Sequence, residues 1–142
     1  MFAQMMIPHH EQAVEMSELV PARSQSSEII NLAKEIQSEQ GPEIIIMKNW
    51  LSQAGADLEM GHTMHMSGML TDIELEKLSN ASGLDFDRLF LEGMIKHHEG
   101  AIEMARPLLK SPNEEVRLFA ESLTESQNAQ ITEMVELSRL LD

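Results

Sequence analysis

Toward the C-terminus, apolar Val116, Phe119, Ala120, Leu123, Ala129, Ile131, Met134, Leu137 and Leu141 recur at near-helical spacing among charged and amide residues. The spacing predicts one long amphipathic helix. Its start is signalled by Ser111-Pro112-Asn113-Glu114, which supplies an N-cap serine, a first-turn proline and a reciprocal glutamate. Upstream, Asp85 is placed to cap a helix from about Phe86 to Arg106, with Pro107 marking its end or a kink. The N-terminal part follows the same plan: a helix from Phe2 to about Val20, a turn at Pro21, and a second helix from Ser24 to about Gln53. Pro8 and Gly41-Pro42 predict kinks, because proline lacks the amide that a helix interior needs. Between these halves lie a Gly- and Met-rich connector, Gly55 to Met69, and a short helix opening with the capping box Thr71-Asp72-Ile73-Glu74.

The two halves are copies of one unit. Phe2 through Met16 realigns with Phe90 through Met104 at an offset of 88, and nine of the fifteen positions are identical or nearly so. A shorter echo at an offset of 87 matches Gln40, Ile44 and Met47 with Gln127, Ile131 and Met134. The unit is a helical hairpin of about fifty residues used twice. A hairpin cannot bury its own apolar face alone, so two of them predict an all-α four-helix bundle. The expected organisation is one domain over 1–142, with repeat one at 2–53, the connector and short helix at 54–84, and repeat two at 85–142.

Composition narrows the chemistry. The net charge of −14 argues against nucleic acid or an anionic membrane surface, since phosphate binding needs clustered Lys and Arg. Cations are the natural guests. The absence of cysteine removes disulfides, thiolate metal sites and a cysteine nucleophile. No stretch approaches the roughly 20 apolar residues of a membrane span. The chain opens at Met1-Phe2-Ala3 without a basic segment and apolar run, so the expectation is that an export signal was removed or never existed.

Each half carries a His-His pair with methionines in helical register. His97 has Met94 three residues before and Met104 seven after, and His98 has Met94 four before. His9 has Met6 three before and Met16 seven after, and His10 has Met6 four before. Glu11, Glu15, Glu99 and Glu103 are never three or four residues from a histidine, so the Glu-x-x-His pair of di-iron bundles is missing. At plus three and plus four stand Gln12, Ala13, Val14, Gly100, Ala101 and Ile102, mostly small, which leaves space for an ion or for a close helix neighbour. Met16, Met47, Met104 and Met134 taken singly fit core packing as well as ligation. The connector adds Met60, His62, Met64, His65, Met66 and Met69 within ten residues, without helical period, which points to metal capture. Imidazole with thioether suits Cu(I), and imidazole also accepts Cu(II), so copper is the expected metal, with Cu(I) preferred and silver an acceptable substitute; zinc is open through histidine and carboxylate but gives no reason for the methionines. A thioether needs no deprotonation and forms no disulfide, which fits an extracytoplasmic setting.

Met6-Ile7-Pro8-His9-His10-Glu11-Gln12-Ala13-Val14-Glu15-Met16 and Met94-Ile95-Lys96-His97-His98-Glu99-Gly100-Ala101-Ile102-Glu103-Met104 resemble the domain of unknown function 305 family. The resemblance extends to Gln40/Met47 and Gln127/Met134 and covers nearly the whole chain. It implies a ferritin-like four-helix bundle, usually exported or surface-anchored in bacteria, with some members implicated in copper binding and resistance. By position, His9, His10, Met16, His97, His98 and Met104 match its motif, and Met47 and Met134 match its second-helix partners; Gly41-Pro42 departs from it.

The expected function is a copper-binding protein, periplasmic, secreted or surface-anchored, that sequesters or hands over the ion without catalytic turnover. A homodimer or a copper-handling protein is the partner this role suggests. Its rivals are a copper-dependent oxidoreductase and a structural or interaction bundle without metal.

Overall fold

The computed structural model describes residues 2–57 and 66–141. Five α-helices follow in order: α1 (Phe2–Arg23), α2 (Ser27–Ala54), α3 (Asp72–Asn80), α4 (Gly83–Ala105) and α5 (Glu114–Leu140), with a 3-10 turn, Arg106–Lys110, between the last two. Helix α1 packs along α2, α4 along α5, and the two hairpins meet mainly through α1 and α4, making an all-α four-helix bundle with α3 as the short connecting helix.

Local signals set most boundaries, though not always the ones the sequence suggests. The side chain of Ser26 accepts from the Ile29 amide at 3.3 Å and starts α2, so the turn is Ser24 to Ser26 and Pro21 lies inside the last turn of α1. Pro21 cannot donate the amide hydrogen bond that a helix would direct to the Ser17 carbonyl, and α1 nevertheless runs through it to Arg23. Neither Pro8 nor Gly41-Pro42 ends a helix: α1 and α2 each run as a single element through them. Tertiary packing along the whole helix outweighs the roughly 3 kcal/mol penalty of an interior proline. In the second hairpin Ser82, not Asp85, occupies the N-cap of α4. Asn113, not Ser111, caps α5, accepting from the Val116 amide at 3.2 Å, while the Ser111 hydroxyl accepts from the Asn113 amide. The Thr71–Glu74 capping box forms as expected, each partner satisfying the other's amide.

The apolar core has two clusters. One gathers Met16, Met94 and Met134 with Phe86, Phe90 and Leu91. The other gathers Met6, Met47 and partly buried Met104 with Ala101, Phe119 and Leu123. Trp50 seals the second cluster edge-on against Phe119, ring centroids 4.8 Å apart, and donates its indole N–H to Glu115 at 3.0 Å.

Candidate metal centre

The repeat offset turns these two clusters into images of each other. Met6 corresponds to Met94, Met104 to Met16 and Met47 to Met134, so each cluster holds one methionine from α1, one from α4 and one from a second helix of a hairpin. The histidines lie on α1 and α4, where the hairpins meet. All four are fully buried, at 0% exposure. His9 and His97 pack ring against ring, centroids 3.8 Å apart and planes 39° apart.

Three of the four rings are tethered through Nε2. His10 Nε2 donates to the Glu43 carboxylate at 2.9 Å, His9 Nε2 to the Ser67 carbonyl at 2.8 Å, and His98 Nε2 meets Gln130 Oε1 at 2.6 Å. Gln130 in turn donates to Glu39 at 2.7 Å. Among the described residues, Nδ1 of His9, His10 and His98 and both ring nitrogens of His97 make no well-aligned hydrogen bond, although the His97 ring lies near the His9 carbonyl and the His98 ring near the Met94 carbonyl. An unpaired buried polar atom costs about 1–3 kcal/mol, so these imidazole nitrogens are a net cost to the metal-free fold.

Burial pushes His9 and His98 down to about 4 and His97 well below its ordinary value. The neighbouring imidazoles add to the fall, since a charge on one opposes a charge on the next. These rings are therefore neutral at ordinary pH, with lone pairs that no proton contests. Burial, with Glu35 and Glu43 nearby, raises Glu39.

The connector reaches this centre at its C-terminal end. Gln12 grips Leu70 twice, accepting from its amide at 2.9 Å and donating to its carbonyl at 3.1 Å, and the Ser67 hydroxyl donates to Glu103 at 2.9 Å. Gly68, at φ +79°, lies against the backbone of α4, where an added Cβ would be 3.1 Å from both the Gly100 and His97 Cα atoms and would collide with the Lys96 carbonyl. Gly100 answers it: a Cβ there would strike the Ser67 carbonyl and lie 2.8 Å from Gly68 Cα. The small residue after the second His pair therefore makes room for a backbone. The opening segment is pinned too, Gln4 donating to the Asp57 carbonyl at 2.8 Å.

Of the residues singled out by sequence, His9, His10, His97, His98, Met6, Met16, Met47, Met94 and Met134 all point into the bundle at 0% exposure, and Met104 is partly buried. Met66 and Met69, also partly buried, flank the strap over α4. Met60, His62, Met64 and His65 lie outside the described residues. The four imidazoles gather, but among the described residues no three His, Asp or Glu side chains converge closely enough to hold an ion by themselves. Carboxylates reach the rings from other helices: Glu43 touches His10 directly and Glu39 reaches His98 through Gln130. Sequence reasoning missed Glu39, Glu43 and Gln130 because it considered register within one helix, whereas these residues reach across from α2 and α5. One signal was present: Glu43 and Gln130 stand 87 residues apart, the same offset that relates Met47 to Met134.

Together these features define a helical-bundle protein with neutral imidazoles buried between two thioether clusters. The chain belongs to the family described as Domain of unknown function (DUF305), whose profile matches residues 1–138. No curated protein matches it. Among solved structures it is similar to a DUF305 protein of Streptomyces coelicolor classed as a candidate secreted protein, with 31% identity, 99% of this chain and 91% of that chain covered, and a TM-score of 0.92. It is also similar to CopM in the Cu(I)-bound form, at 30% identity, 97% and 93% coverage and a TM-score of 0.82. CopM in the Cu(II)-bound form matches at 29% identity, 99% and 95% coverage and a TM-score of 0.85. CopM has further been solved with silver, at 30% identity and a TM-score of 0.80.

Proposed function

We propose that this protein binds copper through its buried histidines and methionines, sequestering the ion or handing it on without catalytic turnover. The observation that carries the reading is five unpartnered imidazole nitrogens, counted among the described residues, between two repeat-related methionine clusters. Neutral imidazole and thioether favour Cu(I), and silver as its analogue, over hard cations that seek oxygen. Because no three His, Asp or Glu converge among the described residues, a ligand set here mixes nitrogen with sulfur. His9, His10, His97, His98, Met6, Met16, Met47, Met94, Met104 and Met134 are the candidate ligands, and the connector methionines and histidines are further ones. The relatives solved with Cu(I), Cu(II) and silver support the metal, and the Streptomyces relative supports a place outside the cytoplasm. Among the described residues no helix is long and apolar enough to cross a membrane. The partner this role suggests is a second copy of the chain in a homodimer, or a copper-handling protein that receives the ion.

Anaerobic titration with Cu(I) against a competing chelator tests this. Binding tighter than about 1 μM is expected, and weaker binding would remove the proposal. Met94→Leu and Met6→Leu, which preserve volume, are expected to weaken Cu(I) binding without unfolding the bundle. The loaded protein is expected to oxidise an added reductant no faster than free copper does.

A further inference from the structure

The hydrogen bonds around the rings decide which nitrogen of each histidine carries its proton. A backbone carbonyl only accepts, so His9 donates to Ser67 from a protonated Nε2. A carboxylate accepts, so His10 does the same toward Glu43. Gln130 has its amide nitrogen turned to Glu39, which leaves Oε1 facing His98 and again requires the proton on Nε2. Each of the three rings thereby carries a proton on Nε2, and in the neutral form its lone pair sits on a buried Nδ1; among the described residues Nδ1 of His9 and His10 has no partner, and Nδ1 of His98 lies near the Met94 carbonyl one turn back on α4 without forming a well-aligned hydrogen bond.

The arrangement is repeated with the fold. His10 and His98 are equivalent at the offset of 88, and Glu43 and Gln130 at 87, so each hairpin ties its inner histidine to the same position of its own second helix. One copy uses a carboxylate and the other an amide held in orientation by Glu39. Two different side chains at one equivalent position share a single property, an oxygen that accepts from Nε2. Met6 stands one turn before His10 and Met94 one turn before His98, so each inner ring has a thioether on its own helix face.

We propose that Glu43, Gln130 and the Ser67 carbonyl are positioning groups that lock His10, His98 and His9 as Nε2–H tautomers, presenting Nδ1 to the soft metal. The inference rests on the copper-binding reading for the identity of the guest, but the tautomers are a property of the metal-free chain. A partner oxygen that fixes the tautomer of a ligating histidine also fixes ring orientation, and loss of such partners commonly weakens metal binding 10- to 100-fold.

Long-range proton–nitrogen correlation spectra of the full chain, labelled at histidine nitrogen, give the test. Without metal, His9, His10 and His98 are expected to show a protonated Nε2 and a bare Nδ1. On titration with Ag(I), a diamagnetic probe, the Nδ1 resonances are expected to move. Gln130→Leu should let the His98 proton redistribute between the two nitrogens, whereas Gln130→Glu, which keeps an acceptor, should retain the wild-type pattern. A purely packing role for Gln130 would leave the tautomer of His98 unchanged in Gln130→Leu and would overturn the inference. So would protonated Nδ1 in the wild-type spectrum, which decides the matter even if a variant fails to fold, or silver-induced shifts at Nε2 instead of Nδ1. The expected tautomers with no silver-induced shift at any ring nitrogen would uphold the locking and overturn the metal-binding reading instead.

Discussion

Gly100→Ala sets two well-characterised effects against each other. Gly100 lies inside α4, where replacing glycine with alanine ordinarily stabilises a helix by about 1 kcal/mol. Here the new methyl would strike the Ser67 carbonyl and press to 2.8 Å on Gly68 Cα. Both are backbone, so no flexible side-chain tip can swing aside and the strap must lift. Lifting removes the 2.8 Å bond from His9 to Ser67 and leaves that buried imidazole with no partner, a loss of about 1–3 kcal/mol. Strain on the buried Gln12–Leu70 pair adds about 1 kcal/mol. The exposed Ser67–Glu103 contact contributes little. After subtracting the helix gain, the expected result is a net destabilisation of about 1–3 kcal/mol in the metal-free protein at neutral pH. Urea unfolding followed by helix circular dichroism measures it, and exchange of the Leu70 amide should accelerate. A variant as stable as wild type, or more so, would show that the strap does not rest on α4 as described.

His97→Leu should act in the opposite direction. It removes a buried ring with two unpartnered nitrogens among the described residues, so metal-free stability should be equal or higher by up to about 2 kcal/mol, while Cu(I) affinity falls. A loss above about 1 kcal/mol in denaturant unfolding would mean that the His9–His97 stack contributes more than its unmet polarity costs. The histidines also predict a pH dependence. His9 and His98 titrate at about 4 when folded and about 6.5 when unfolded, so between those values the unfolded chain binds more protons and stability falls as pH falls. Each ring contributes at most about 1.4 kcal/mol per pH unit, and the loss levels off below the folded values. The raised Glu39 and relief of the −14 charge work the other way. The useful measurement is therefore the difference between wild type and His97→Leu. The wild-type melting temperature should drop more steeply from pH 6.5 to 4.5, and parallel curves would contradict a neutral, buried His97.

Much of the architecture was written in local patterns. The doubled motif from Phe2 and Phe90 announces a twofold unit, helical spacing announces four long helices, and Met6/His10 and Met94/His98 share faces through the geometry of a single helix. Helix ends were less legible. Ser24 and Ser26, or Ser111 and Asn113, are chemically equivalent caps until packing fixes how far each turn extends. That the four histidines are buried follows from their lying where the hairpins meet, a fact about the relation of α1 to α4.

Sequence by itself determined the fold class and the soft-ligand inventory, because both depend on residues a few positions apart, whose relation the helix period sets. The partners that hold the imidazoles were decided only by tertiary structure. Glu43 and Gln130 reach their histidines through the rotation of α2 and α5 about their axes, and Ser67 reaches His9 only because Gly68 and Gly100 let two backbones touch. Hydrogen bonds between residues 32, 33 or 58 positions apart are distances in space, and no periodicity along a chain encodes those.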